Sequence, residues 1–102
     1  MKRPVAWSRD ALDDIKEQVS HIALDNPAAA RRVADRIREM GEALGDFATG
    51  KPGRVTGTYE KAISRLPYII SYTLRPILGR ESVIILRVIH TARDWQAEEW
   101  PI

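Results

Sequence analysis

Two apolar runs near the end of the chain constrain its fold more than any other feature. The first is PYIISYTL, residues 67–74, and the second is SVIILRVIH, residues 82–90. β-branched and aromatic side chains dominate both runs, which predicts two strands. Residues 75–81 between them contain a proline and a glycine, so we expect a turn or short loop that joins the strands into a β-hairpin.

The second run is apolar on both faces, which is typical of a central strand that is covered on both sides. Strict alternation places Ile84, Leu86 and Val88 on one face, and Val83, Ile85 and Ile89 on the other. Arg87 and His90 interrupt this apolar pattern. A charge is costly there unless it is paired or lies at a rim, so the end of this strand is the first place to look for a functional site.

The first half of the chain predicts one strand and two helices. Residues 1–7 contain a short strand, and residues 8–45 form an antiparallel helical hairpin. Ser8 and Asn26 are the expected N-caps, the second of them followed by a proline at the first helical position. Apolar residues recur at helical spacing, and the core positions we expect from them are Leu12, Ile15, Val19, Ile22, Ala30, Val33, Ile37, Met40 and Leu44.

The second half predicts a sheet. Residues 47–58 contain three glycines and a proline and are expected to be a plain connector, since the spacing of a phosphate-binding loop is absent. Residues 59–65 alternate as a strand. We therefore expect an α+β fold of order β-α-α-β-β-β, with a helical hairpin on one side of a small, mostly antiparallel sheet. The whole chain of 102 residues is expected to be a single domain, with the sheet in 54–90 and a short tail in 91–102.

Composition narrows the class of protein. The chain has no cysteine, which excludes disulfides and thiolate metal sites. No run is long enough to span a membrane, and the first residues do not resemble a signal peptide, so we expect a cytoplasmic protein. Residues 51–90 contain seven basic and two acidic side chains, which favours an acidic partner for the sheet half. The two histidines, His21 and His90, are far apart in sequence, so we expect no metal and no cofactor.

Four segments together resemble the RelE/ParE superfamily of bacterial toxins. They are DNPAAARRVADRI in the second helix, GRVTGTYE before the next strand, LPYIISY, and ILRVIHTARDW. The resemblance implies the toxin of a type II toxin–antitoxin pair. It implies as partner a cognate antitoxin, expected to be a ribbon-helix-helix protein with a disordered C-terminal tail, and contact with operator DNA only through that antitoxin.

The superfamily divides by target, since RelE-like members cut mRNA on the ribosome and ParE-like members inhibit DNA gyrase. RelE-like members typically have lysines on the strand that matches residues 59–65. They also typically have an arginine directly after the tyrosine that matches Tyr68. Glu60, Ala62 and Ile69 occupy those positions here. The resemblance therefore favours a ParE-like toxin that is not itself an enzyme and binds DNA gyrase. The alternatives are a ribosome-dependent endoribonuclease and a non-toxic relic that acts in an antitoxin–DNA repressor complex.

Each alternative implies its own set of residues. If the protein cuts RNA, the acid–base and cationic groups left to do so are Glu60, Arg65 and His90. If it binds a protein target, the expected contacts are Arg87, Arg93, Trp95 and Trp100. The expected contacts with an acidic antitoxin segment are Lys61, Arg65 and Arg87. Arg93 and Asp94 could equally form a local salt bridge, and His90 could equally have a structural role.

Overall fold

The computed structural model describes residues 2–91, which form two helices and a five-stranded mixed sheet. In chain order the elements are β1 (Val5–Trp7), α1 (Arg9–Ala23), α2 (Pro27–Ala43), β2 (Lys51–Pro52), β3 (Tyr59–Ala62), β4 (Tyr68–Ile77) and β5 (Arg80–His90). The predicted α+β fold with a helical hairpin on a small sheet is confirmed. The connector predicted over residues 47–58 contains one strand that the sequence did not predict, the short β2.

The strands are ordered β1-β5-β4-β3-β2, with β1 parallel to β5 and every other pair antiparallel. β5 has a neighbour on each side, which confirms its predicted central position. β1 pairs only with residues 83–85 of β5, so the part of β5 beyond Ile85 has no strand on that side. This uncovered edge lies beside α1.

The β4–β5 hairpin is tighter than the sequence predicted. The two strands pair as far as Ile77 and Arg80, so only Leu78 and Gly79 form the turn. Both have positive φ, 50° and 78°, as a two-residue turn of type I′ requires. Residues 75–81 were expected to be a loop. They are mostly strand because Pro76 is tolerated in β4, where β5 is its only partner.

A bulge interrupts the pairing of β4 with β5. Arg87 pairs with Ser71 while Ile85 pairs with Tyr72, so Leu86 has no residue opposite it. One extra residue in a strand shifts the side-chain alternation by one position.

The bulge makes the predicted strict alternation along β5 wrong beyond its middle. Val83, Ile85 and Val88 all belong to the one core cluster beneath the helices, although the sequence pattern placed Val88 on the opposite face. The shift keeps an apolar side chain toward the helices on each side of the bulge.

The N-caps of both helices are the predicted residues. The Ser8 hydroxyl accepts a hydrogen bond of 3.0 Å from the N–H of Ala11 and donates one of 2.8 Å to the carbonyl of Leu86. The Asn26 side chain accepts from the N–H of Ala29 at 3.0 Å. Ser8 therefore begins α1 and also fixes its position against the bulge of β5.

The helical hairpin covers one face of the sheet. The buried residues of this core are Ala11, Ile15, Ile37, Leu44, Ile63, Tyr68, Ile70, Tyr72, Val83, Ile85 and Val88. The core predictions on the helices are confirmed for Ile15, Ala30, Ile37 and Leu44, but Leu12 is 52% exposed. The buried residue in that turn of α1 is its neighbour Ala11. A helix packed closely on a sheet accommodates a small side chain at its nearest approach.

α2 also lies close to β1, at Gly41. A Cβ atom added at Gly41 would lie 2.4 Å from the ring of Trp7, so a glycine is required for this contact. The indole N–H of Trp7 donates to Glu42 at 3.1 Å, which ties the end of α2 to the sheet.

Residues 53–58 lie against the face of the sheet that is opposite the helices. Thr73 lies between two core residues of β4 and so faces this side. Its hydroxyl donates to the carbonyl of Gly57 at 2.8 Å, and the N–H of Gly53 donates to the carbonyl of Thr58 at 2.9 Å. This segment therefore buries the middle of β4 from the other side.

Candidate functional site

Glu60 has a structural position in β3. Its side chain is only 10% exposed, and its Oε2 atom accepts a hydrogen bond of 2.9 Å from the N–H of Arg54. The guanidinium Nε of Arg54 lies 3.6 Å from the same oxygen. A charge-assisted hydrogen bond to a backbone N–H is stronger than a neutral one. Glu60 thus fixes residues 53–58 against the sheet.

His90 is the last residue of β5. It pairs with Tyr68, and the two rings meet edge to face with centroids 5.2 Å apart. Burial raises the pKa of the Tyr68 hydroxyl, which keeps this phenol neutral. An edge-to-face contact with a neutral ring restricts the orientation of the imidazole.

Glu60 and His90 lie on opposite faces of the sheet. Tyr68, the partner of His90, belongs to the core beneath the helices, and its hydroxyl is 3.5 Å from Oε1 of Gln18 in α1. Glu60 instead pairs with Ser71, which lies between two core residues of β4 and so faces the other side. An acid and a base must both reach one substrate to act together. The structure does not bring these two groups together.

Arg65 lies on a third element, the turn between β3 and β4, where it was predicted to be the end of a strand. β3 ends at Ala62, and the N–H of Leu66 donates to the carbonyl of Ile63 at 3.2 Å. Arg65 is the third residue of this turn, has φ of 69° and is exposed. The three residues of the predicted nuclease set therefore lie at three separate places.

Arg87 is bound within its own chain. Its Nε and Nη2 atoms each donate to the carboxylate of Asp14 in α1 at 2.8 Å. One oxygen of Asp14 also accepts from the N–H of Val88 at 2.9 Å, a group on the edge of β5 that β1 does not reach. Hydrogen bonding to this carboxylate raises the pKa of Arg87 above its already high ordinary value.

The predicted antitoxin contacts Lys61, Arg65 and Arg87 lie on three different elements. Lys61 is half-buried in β3 and Arg87 is half-buried beside Asp14, whereas Arg65 is exposed. Partner binding at these residues remains a prediction. The predicted target contacts Arg93, Trp95 and Trp100 lie outside the described residues.

Two grooves border the helical hairpin, and sequence reasoning missed both. The first has a volume of about 460 Å³ and is lined by Trp7, Leu12, Ile15, Lys16, Val19, Ala34, Arg38 and Glu42. It is mostly apolar, and the exposed Leu12 lies in it. In the sequence, Leu12 continues the apolar stripe of α1. In the structure, no other element covers its side chain within residues 2–91, so it is exposed in the groove.

The second groove is cationic and has a volume of about 700 Å³. It lies between α2 and the β3–β4 turn and is lined by Ala29, Arg32, Val33, Arg36, Ser64, Arg65 and Leu66. The sequence signal was the spacing of Arg32 and Arg36, which places both on one side of a helix.

Two further findings concern metals and membranes. Within residues 2–91, no three histidine, cysteine, aspartate or glutamate side chains lie close enough together to hold a metal ion. Neither helix in that part of the chain is long and apolar enough to cross a membrane.

Comparison with known proteins identifies relatives along almost the whole chain. Residues 5–95 match the family described as the ParE toxin of the type II toxin–antitoxin system parDE. Y4kP of Sinorhizobium fredii, named as a candidate toxin, is 35% identical over 95 residues, which cover 92% of this chain and 94% of that protein. Toxin RelE2 of Caulobacter vibrioides is 31% identical over 90 residues, which cover 87% of this chain and 96% of the relative.

Two solved structures have the same fold. One is from the chromosomal ParDE toxin–antitoxin system of P. aeruginosa, with a TM-score of 0.78, 22% identity and coverage of 87% of this chain and 96% of that one. The other is from the toxin–antitoxin complex RelBE2 of Mycobacterium tuberculosis, with a TM-score of 0.59, 24% identity and coverage of 88% and 99%. The described helices and sheet are therefore an arrangement that solved toxin–antitoxin structures also contain.

Proposed function

The chain belongs to the ParE toxin family of type II toxin–antitoxin systems, and from this premise we propose that it arrests growth by binding a host protein, DNA gyrase, and not by cutting RNA. The observation that carries the proposal is the separation of Glu60 from His90 on opposite faces of the sheet. Transfer of a 2′-hydroxyl onto the adjacent phosphate needs an acid, a base and cations around one phosphate. The described residues offer no such arrangement of the predicted groups.

The occupancy of the charged groups supports the same proposal. Glu60 is engaged by Arg54 on the face opposite the helices, and Arg87 is engaged by Asp14. Two of the five N–H groups of Arg87 are thus already used within the fold and its charge is neutralised by Asp14, which weakens its attraction for a phosphate. Inhibition through surface complementarity does not depend on an unneutralised cation at this position, since a few anchor residues carry most of the binding energy.

The target contacts are proposed to include the C-terminal segment from Thr91 to Trp100. Trp95 and Trp100 would be its aromatic anchors and Arg93 its cation, since tryptophan and arginine are the residue types that dominate protein interfaces. Arg87 would contribute by holding the end of β5 in place.

The purified full chain can be tested in two reactions. We expect it to inhibit DNA supercoiling by gyrase and to leave mRNA uncut on ribosomes. A variant truncated from Gln96 onward should no longer inhibit gyrase or arrest growth, whereas His90→Ala should retain most of both activities. The unfolding temperature of each variant, compared with that of the parent chain, shows whether a loss of activity reflects a lost contact or a lost fold.

One pattern of results would reject gyrase as the target. If the chain cleaves a reporter mRNA on ribosomes and His90→Ala abolishes the cleavage, the protein is a ribosome-dependent endoribonuclease. The 31% identity to toxin RelE2 and the fixed position of the imidazole against Tyr68 are the observations in favour of this second candidate. A chain that is inactive in both reactions would match the third alternative, a relic that acts only in an antitoxin–DNA repressor complex.

We further propose a cognate antitoxin as partner, because the two structural relatives come from the ParDE system and the RelBE2 complex. The expected antitoxin is a ribbon-helix-helix protein whose disordered tail orders on this surface, and it would supply the only contact with operator DNA. Ordering of such a tail costs entropy that a large interface must offset. Copurification of the toxin with the product of a neighbouring gene tests this partner.

A further inference from the structure

The cationic groove between α2 and the β3–β4 turn has the composition of a binding site. Arg32 and Arg36 project from successive turns of α2, and Arg65 faces them from the turn. Aliphatic side chains lie between them, Val33 from the helix and Leu66 from the turn, both half-buried. The groove thus combines three guanidinium groups with an apolar floor.

The positive charge of the groove is almost uncompensated. Within residues 2–91, Arg32 and Arg65 form no ion pair with an acidic side chain. Arg36 has one contact, in which its Nη1 atom lies 3.9 Å from Oε2 of Glu39, the outer limit of a salt bridge. Like charges around one groove repel each other, and an anion between them relieves that repulsion.

The backbone at Arg65 gives a second, independent reason to assign a role to this side chain. The residue has φ of 69° at the third position of a turn that glycine or asparagine ordinarily occupies. An L-residue with a long side chain is strained in this conformation, and such strain clusters at functional sites. Within residues 2–91, Gly57 and Gly79 also have positive φ, 86° and 78°, and so does Leu78, with φ of 50° in the two-residue β4–β5 turn whose type I′ geometry requires it.

The lining of the groove favours a peptide over a nucleic acid. None of the described residues that line it is aromatic, so this lining from α2 and the β3–β4 turn has no ring on which a nucleobase could stack. Its floor of Val33 and Leu66 fits an aliphatic side chain, and its rim of arginines fits carboxylates, which guanidinium groups bind through paired hydrogen bonds.

We propose that the groove bounded by Arg32, Arg36 and Arg65 binds an acidic segment of a protein partner. The segment would insert an aliphatic side chain over Val33 and Leu66 and place carboxylates on the three arginines. The proposal rests on the antitoxin partner proposed above and deepens it, since it names the groove and the chemistry of the antitoxin segment that the groove receives.

The test uses the full chain and three fluorescent probes. The first is a short peptide that alternates glutamate and leucine, the second is the same peptide with glutamine in place of glutamate, and the third is a short single-stranded RNA. Fluorescence anisotropy should give the tightest binding for the glutamate peptide. Its affinity should fall as salt is added, because exposed charge pairs are screened.

Substitution of Arg65 separates binding from stability. Arg65→Gly should leave the unfolding temperature unchanged or higher, because glycine accepts the positive φ, yet it should weaken binding of the glutamate peptide by about fivefold or more, the loss expected for one or two charge contacts at an exposed rim. Arg32→Gln should weaken binding to a similar extent.

Two matched controls are present in the chain. Leu78→Gly relieves a positive φ of 50° at another turn and should leave binding unchanged. Arg31→Gln removes the same charge from the same helix at an exposed position that does not line the groove and should also leave it unchanged.

Several results would overturn the proposal. Absence of binding by the glutamate peptide, or equal binding by the glutamine peptide, would show that the groove does not recognise carboxylates. Tighter binding of the RNA, with that binding weakened in Arg65→Gly, would identify a nucleic-acid site instead. Peptide binding that survives both Arg65→Gly and Arg32→Gln would place the contact on another surface.

Discussion

Asp14 and Arg87 are 73 positions apart in the chain and are joined by two hydrogen bonds of 2.8 Å each. The pair connects the first helix to the last strand at the point where β1 no longer covers the edge of β5. The N–H of Val88 donates to the same carboxylate, so Asp14 satisfies an edge group and a guanidinium together. Together with the hydrogen bond from Ser8 to Leu86, this contact fixes where α1 lies along the sheet.

The first prediction concerns this ion pair. Arg87→Gln should destabilise the fold by about 1–3 kcal/mol, because it leaves a partly buried carboxylate without its cation. Asp14→Asn should cost a similar amount. The double variant should lose less than the sum of the two, which a double-mutant cycle in chemical denaturation measures.

Strict additivity of these two substitutions would mean that the pair contributes nothing of its own. The same contact makes Arg87→Glu a poor probe of partner binding, because the new carboxylate would face Asp14 and weaken the fold itself.

The second prediction concerns the phase of the helices. Ile37 is fully buried and Leu12 is 52% exposed, although the sequence assigned both to the core. Ile37→Ala should lower the free energy of unfolding by about 2–5 kcal/mol. Leu12→Ala should change it by less than about 0.5 kcal/mol. Equal losses at the two positions in urea denaturation would show that α1 is rotated relative to the structure described above.

The third prediction concerns Glu60 and the segment it holds. Glu60→Ala removes the acceptor for the N–H of Arg54 and should cost about 1–3 kcal/mol, the loss expected when a charge-assisted hydrogen bond made by a buried carboxylate is broken. Amide hydrogen exchange should become faster in residues 53–58 before it does so elsewhere.

Glu60→Gln keeps an acceptor oxygen and should have a smaller effect on both measurements. If exchange instead increases uniformly along the sheet, the role of Glu60 is in the strand pairing and not in the loop.

The fourth prediction concerns high pH. Burial raises the pKa of Tyr68 above its ordinary value of 10.0, so the unfolded chain releases this proton at a lower pH than the folded chain does. The unfolded state therefore binds fewer protons above that pH, and stability falls as pH rises through and beyond 10.0.

Tyr68→Phe removes the ionisable group and should make this decline shallower. Burial also raises the pKa of Tyr72, so part of the decline should remain. Unfolding free energies of the parent chain and of Tyr68→Phe, measured across this pH range, test the prediction. Parallel declines would contradict it.

The sequence predicted those parts of the fold that depend on local chemistry. The caps Ser8 and Asn26, the two helices and the central position of β5 follow from side-chain type and spacing, which act over a few residues. The bulge at Leu86 could not be predicted in this way, because it depends on which residues of β4 lie opposite. β2 escaped prediction for the same reason, since a strand of two residues exists only through its pairing with β3.

The candidate site was harder to predict than the fold. The partner of Arg87 is an aspartate on a distant helix, and the neighbour of Arg65 is an arginine cluster on α2. Sequence spacing shows that Arg32 and Arg36 share one side of a helix, but only the packing of α2 beside the β3–β4 turn shows that Arg65 joins them. Charge pairs and clusters of this kind depend on tertiary contacts.

Leu86, which has no partner in β4, divides β5 into two halves. The half before it pairs with β1, and in the half after it the N–H of Val88 donates to the carboxylate of Asp14 on α1. Deletion of Leu86 would give β4 and β5 an uninterrupted ladder without changing the partners or the faces of the later residues, so Val88 would stay opposite Ile70 and His90 opposite Tyr68. It would remove the carbonyl that accepts from the Ser8 hydroxyl and the local bend of β5 beside α1. A chain of this family that lost this single residue would therefore keep its sheet and lose the point at which the start of α1 is fixed to it.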